Sequence, residues 1–189
     1  MPPTTEIPSL SDLDTWPYLN DLGQISGQWQ GKVGLYAIFD RDQTLQFVGF
    51  SRDISLSLQQ HLVRCPQQCY WLKVHTIDRP SRTLLEGGRD QWVAENGITP
   101  PGNGPEAEVW IRPIDVKGQM TPEEEATYQA SDELGKMKTL KRVARRIEAE
   151  VLATLVERGV QMQLRFDPKL KEAGLLNLKQ MGFPSNLPS

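Results

Sequence analysis

Residues 33–39 and 45–50 confine what this chain can become. Val33-Gly34-Leu35-Tyr36-Ala37-Ile38-Phe39 is a short apolar run rich in strand formers, Leu45-Gln46-Phe47-Val48-Gly49-Phe50 is a second, and Asp40-Arg41-Asp42-Gln43 lies between them. Two such runs joined by a short polar turn predict an antiparallel hairpin. A helix follows, with Asp53 as N-cap ahead of Ile54, Leu56, Leu58 and Leu62. Residues 70–77 alternate well enough for a third strand. Ser81 offers another cap, residues 82–95 read as a second helix despite Gly87 and Gly88, and Asn96-Gly97 stops it. Thr99-Pro100-Pro101-Gly102-Asn103-Gly104-Pro105 excludes a regular element, and Ala107 to Ile111 is expected as a last, edge strand. The fold class that results is α+β, a small antiparallel sheet flanked by helices over residues 31–113.

Two flanking zones complete the organisation. Residues 1–30, rich in Pro, Ser and Asp, form a lead-in. They also hold Leu10, Leu13, Trp16, Tyr18, Leu19 and Leu22, spaced like a short amphipathic helix or a docking strip. A floppy polar tail would not keep so many large apolar groups, so this zone is expected to pack on the core. Residues 114–189 predict a mainly helical C-terminal extension. Thr121-Pro122-Glu123-Glu124-Glu125 is a strong helix start, with a capping hydroxyl, proline at the first position and acids facing the dipole. Leu134, Met137, Leu140, Ala144, Ile147, Val151 and Leu155 recur at three and four. Gly135 is expected to divide this stretch and Gly159 to end it. Residues 160–166 alternate in period two and predict a short strand, and Lys169 to Met181 a final helix.

Composition excludes some classes of function. The hydrophobic share is 38%, mean hydropathy is -0.47, and no apolar run is long enough to span a membrane. The start has neither a basic nor an apolar leader segment and carries Glu6, Asp12 and Asp14, which predicts a cytoplasmic protein, or one of the plastid stroma if the source is a plant. With a net charge of -3, the chain has no global pull toward a polyanion, so binding to DNA or RNA has to rest on a local patch. The cysteines, Cys65 and Cys69, read as two reduced thiols, with a local disulfide or redox switch as the alternative; further ligands for a metal are missing nearby.

Gly34-Leu35-Tyr36 and Phe47-Val48-Gly49, one turn apart and followed by Ser51 and an N-capped helix, resemble the paired motifs of the GIY-YIG nuclease superfamily. The resemblance covers residues 31–103. It is narrowest between residues 45–54, His61, Trp92-Val93-Ala94-Glu95 and Pro100-Pro101-Gly102-Asn103 of this chain and the N-terminal domain of plant chloroplast monothiol glutaredoxins. No Cys-Gly-Phe-Ser redox motif is present, so the chain resembles a stand-alone, cyanobacterial-type version of that domain. The resemblance implies a metal-dependent DNA endonuclease site: Tyr36 near the attacking water, His61 close to the phosphate, and Glu95 on Mg²⁺ or Mn²⁺.

Departures from the pattern argue for a degraded site. The second tyrosine is Phe47, and Ser57 stands where active members place an arginine. A serine cannot neutralise a pentavalent phosphate as a guanidinium fork does. Arg52, at the start of the same helix, is the candidate stand-in. Each of these residues also has a plainer role: Tyr36 as a packed side chain with a bonded hydroxyl, His61 as a helix histidine, Glu95 as a solvated helix-end acid, Arg52 as a surface ion pair. Lys136, Lys138, Lys141, Arg142, Arg145 and Arg146 form a basic stripe able to track phosphates, or a solvated face paired with nearby acids. Two functions follow. One is a weak Mg²⁺- or Mn²⁺-dependent endonuclease or a DNA binder that has lost cutting. The other is a non-catalytic interaction module that grips a protein partner through the N-terminal strip or the C-terminal helices.

Overall fold

The computed structural model describes residues 6–179 of the 189-residue chain. The architecture is α+β and divides into two compact units, Met1–Arg112 with Thr154–Met162, and Pro113–Ala153 with the residues from Gln163 on.

The first unit is built on the hairpin. Strands β1 (Trp16–Pro17), β2 (Gly34–Phe39), β3 (Leu45–Ser51) and β4 (Trp71–Thr76) form one antiparallel sheet in the order β1-β4-β2-β3. Tyr36 stands opposite Gly49 on one side and Val74 on the other. The connecting turn is closed by the Asp40 carboxylate, which accepts from the amides of Asp42 and Thr44 at 3.0 and 2.9 Å. Helices α1 (Ile54–Arg64) and α2 (Arg82–Asn96) start as the sequence predicts: Asp53 accepts from the Leu56 amide, and Ser81 from the Leu84 amide. Gly97, at φ +80°, ends α2 in the left-handed region that glycine enters at no steric cost. Helix α1 buries Ile54, Leu58 and Leu62 completely, and α2 buries Leu85 and Trp92.

The lead-in belongs to this core. Ile7 and Leu10 are buried, and Tyr18 is fully buried with its hydroxyl donating to the Leu58 carbonyl at 2.5 Å. Among its described residues no amphipathic helix forms; two 3-10 turns cover Leu10–Asp12 and Gly27–Trp29, and Leu22 is 69% exposed. Arg158 stacks over the Tyr70 ring at 3.7 Å and donates to the carbonyls of Pro66 and Cys69, which pins the loop between the two cysteines.

Where the edge strand was expected, residues Ala107–Ile111 form a short helix, α3. The reason lies at β3: the Asn103 side chain already holds both the amide and the carbonyl of Val48, so no strand can pair there. A helical turn instead buries Trp110.

In the second unit, β5 (Ile114–Asp115) pairs with β6 (Leu175–Leu176). Helix α4 (Pro122–Ala130) carries the expected cap, a reciprocal Thr121–Glu124 capping box. Helix α5 (Glu133–Glu157) follows and buries Leu140, Val143, Ala144 and Ile147 within this unit. The break between the helices falls at Ser131–Asp132 rather than at Gly135, whose amide bonds to the Asp132 carboxylate inside the first turn of α5. Residues 160–166, of which the first three belong to the first unit, form no strand. The amides of Val160 and Gln161 go to the Leu155 and Gly23 carbonyls, and only Phe166 makes a bridge, to Leu178. The expected final helix is one turn, α6 (Pro168–Lys171), after which Gly174 at φ +73° turns the chain into β6; Met181 lies outside the described residues.

Candidate functional site

A cleft of about 530 Å³ opens in the first unit between β3, α1, α2 and the segment from Thr99 to Ile111. Tyr36 and His61 lie on its floor, 3% and 4% exposed, with the tyrosine hydroxyl 2.8 Å from the imidazole Nε2. Strand β2 carries the tyrosine and the third turn of α1 carries the histidine. Gly49, across the ladder from Tyr36, leaves the room: a Cβ there would stand 2.8 Å from the tyrosine oxygen. Behind the pair the Phe47 ring lies 4.6 Å from His61 and stacks on Trp110 at 5.2 Å with planes 1° apart.

Burial sets the chemistry of this pair. It raises the Tyr36 pKa well above that of an ordinary tyrosine, with Ser57 and Arg64 acting weakly in the other direction. His61 is pushed down to about 3, first by burial and then by the Arg64 charge. At neutral pH the floor is therefore a phenol bonded to an uncharged imidazole, and charging either in so dry a place, by deprotonating the phenol or protonating the imidazole, is costly. Among the described residues the buried His61 Nδ1 makes no well-formed hydrogen bond. Ser57 bonds to the Ser51 hydroxyl at 2.6 Å, and Arg64 donates to the Trp110 carbonyl and to Gln60.

Glu95 is not brought to this pair. Its carboxylate is exposed at the end of α2, outside the residues that line the cleft, and the lead-in occupies it. Ser9 donates to it through its hydroxyl, and the amides of Leu10 and Ser11 donate at 2.9 and 3.0 Å. The same segment accepts from Trp92 Nε1 at Pro8, from Gln91 at Ile7 and from Lys73 at Leu10. The Ser9 hydroxyl, then the two amides, hold the Glu95 carboxyl below its usual range. A divalent cation does not fit here. The carboxylate lone pairs already face three donors whose positive ends would repel it. Among the described residues no group of three or more His, Cys, Asp or Glu is placed to hold a metal.

The remaining sequence-selected residues are scattered. Arg52 is exposed ahead of α1 and does not line the cleft. In the basic stripe Arg146 is bound to Glu124 and Glu150, Lys141 faces Glu172 at 3.8 Å, and Lys136 lies over the Tyr128 ring. Lys138, Arg142 and Arg145 are exposed and, at spacings of four and three, share one face of α5. Cys65 and Cys69 are buried free thiols; burial pushes Cys65 up to about 12 and Cys69 also well above the ordinary thiol value, which disfavours the thiolate at both.

Several residues of the site were not singled out from sequence. Asn103 is the clearest: its amide copies a peptide group against the edge of β3, accepting from Val48 N at 2.7 Å and donating to Val48 O at 2.8 Å. Gly102 beside it is required by close approach, because a Cβ would sit 2.6 Å from the Gln46 carbonyl and 2.9 Å from Phe47 and Trp110. The Pro-Pro-Gly-Asn run signalled this plug without revealing its target. Arg64, Arg89 and Asp90 in the cleft wall carried no signal beyond their charge.

Known proteins share part of this chain. Over 74 residues it is 38% identical to a chloroplastic bifunctional monothiol glutaredoxin of Arabidopsis thaliana. The shared stretch is 37% of this chain and 25% of that protein, so the chain spans about a quarter of the length of the curated relative it matches. No family model matches the chain. A stretch of that size is consistent with one shared small domain. Among the described residues no helix is long and apolar enough to cross a membrane.

Proposed function

We propose that this protein is a non-catalytic binding module on a GIY-YIG-like scaffold, which keeps the cleft and has lost phosphodiester cutting. One observation carries this reading: the Glu95 carboxylate accepts from Ser9, Leu10 and Ser11 and lies outside the cleft that holds the Tyr36–His61 pair. Phosphodiester hydrolysis needs an activated water and a charge that stabilises the pentavalent phosphate. The floor of the cleft offers neither, because its phenol and imidazole are both uncharged and Ser57 occupies the arginine position of the resembled pattern. Two buried thiols with the thiolate disfavoured likewise argue against glutaredoxin chemistry in this chain. The chloroplastic relative supports a plastid-type setting for this module.

Supercoiled plasmid incubated with Mn²⁺ and the protein, beside Tyr36→Phe and Glu95→Gln, tests the reading. The expected result is intact plasmid in all three. Nicking by the unmodified protein that both substitutions abolish refutes it. The exposed Lys138, Arg142 and Arg145 favour a second reading, DNA binding without cutting. A gel shift at low salt that fades as salt rises, and that is lost when the three are replaced together by Glu, would establish that reading instead.

A further inference from the structure

The walls of the cleft select a class of ligand. A volume of about 530 Å³ suits a small molecule or the end of a chain. Two guanidiniums, Arg64 and Arg89, and one carboxylate, Asp90, line it, so with His61 uncharged its formal balance is +1. Arg89 reaches Asp90 through Nε at 3.2 Å and lies 5.5 Å over the Phe50 ring, which holds its charge at the mouth. The opposite character comes from Phe50, Val93 and Ile111, the last 56% exposed. On the floor, the almost fully buried His61 ring lines the cleft uncharged, with Nδ1 sealed from solvent, so it adds no charge to the lining.

Each alternative leaves something uncompensated. A neutral apolar molecule would desolvate the guanidiniums for no return, and a dianion would exceed the local charge. A nucleic-acid strand brings a charge at every nucleotide and needs cations beyond the cleft, whose lining holds only these two. We propose that the cleft binds a singly charged carboxylate with a compact apolar body, its carboxylate toward Arg89 and Arg64 and its body against Phe50, Val93 and Ile111. The planar fork of a guanidinium matches a carboxylate in shape as well as charge. Free organic acids and the C-terminal end of an apolar peptide share this chemistry. The proposal rests on the non-catalytic reading of the same cleft.

Calorimetric titration of the full chain tests it, with isovalerate, benzoate, an acetylated Ala-Ala-Leu peptide and its C-terminally amidated twin as ligands. Isoamyl alcohol, inorganic phosphate and a short oligothymidylate serve as comparators. At least one carboxylate is expected to bind and to move the NMR signals of the His61 ring, while the three comparators bind more weakly or not at all. Arg89→Gln, at the partly exposed mouth, is expected to weaken carboxylate binding about tenfold. Binding of the free peptide but not the amidated one identifies a chain terminus as the natural source; binding confined to the small acids identifies a metabolite. The proposal is overturned if no carboxylate binds, if Arg89→Gln binds equally well, or if phosphate or the oligonucleotide binds more tightly. No carboxylate binding together with intact plasmid in the nicking assay removes this ligand class alone; Mn²⁺-dependent nicking removes the reading beneath it.

Discussion

Replacing Glu95 by Gln isolates the contact on which the functional reading turns. In the native protein one carboxylate oxygen accepts from the Ser9 hydroxyl and the Ser11 amide, and the other from the Leu10 amide. Glutamine keeps one acceptor oxygen and turns an NH₂ toward a donor, so at least one partner is left unbonded and the charge assistance is lost everywhere. Hydrogen bonds to charged groups are worth ~1.5–3 kcal/mol when sheltered, but Glu95 is exposed and solvent screens it. A net loss of about 1–2 kcal/mol is expected, equivalent to a fall in melting temperature of ~2–8 °C for a chain of this size. Thermal and urea melts followed by circular dichroism read this directly. Because the folded carboxyl is held below its usual value, the contribution is present above about pH 4.5 and disappears as pH falls through the folded value. The difference between the two proteins should therefore close in acid. Millimolar Mn²⁺ should leave both melting curves in place. A variant that melts with the parent, or an Mn²⁺-dependent stabilisation that the variant lacks, would show that Glu95 serves a cation and not the lead-in.

Asn103→Ala removes both bonds to the fully buried Val48 and leaves an amide and a carbonyl unmet; a loss of about 2–3 kcal/mol in urea unfolding is expected, and one below ~0.5 kcal/mol would contradict the edge-plug role. His61 has its pKa lowered in the folded state to about 3 against about 6.5 when free, so the unfolded chain binds the extra proton between those values. Stability should fall as pH drops through that window by up to about 1.4 kcal/mol per unit, and His61→Gln should flatten the slope; equal slopes in the two proteins would contradict the uncharged, buried state of the ring.

The hairpin, the two capped helices that follow it, the third strand and the capped start of α4 were legible because each depends on residues close in sequence. Asp53 and Ser81 cap their own helices, and the apolar spacing of α5 is recorded in every turn. The two strands that did not form share one cause. Ala107 to Ile111 and residues 160–166 carry apolar residues that suit a strand, but a strand exists only if a partner edge is open. Asn103 had filled that edge for the first, and the backbone donors of Val160 and Gln161 had gone to other carbonyls in the second.

The candidate site divides along the same line. Sequence by itself determined that a tyrosine, a histidine and a glutamate stood on a strand and two helices at the spacings of a resembled motif. Tertiary structure decided what they touch: Tyr36 and His61 meet at 2.8 Å under a dry aromatic layer, while residues more than eighty positions away in the chain reach Glu95 first. Side-chain identity fixes which bonds a group can make, but only the folded chain determines which partner arrives. For a carboxylate, that partner decides between a metal ligand and an anchor for the backbone.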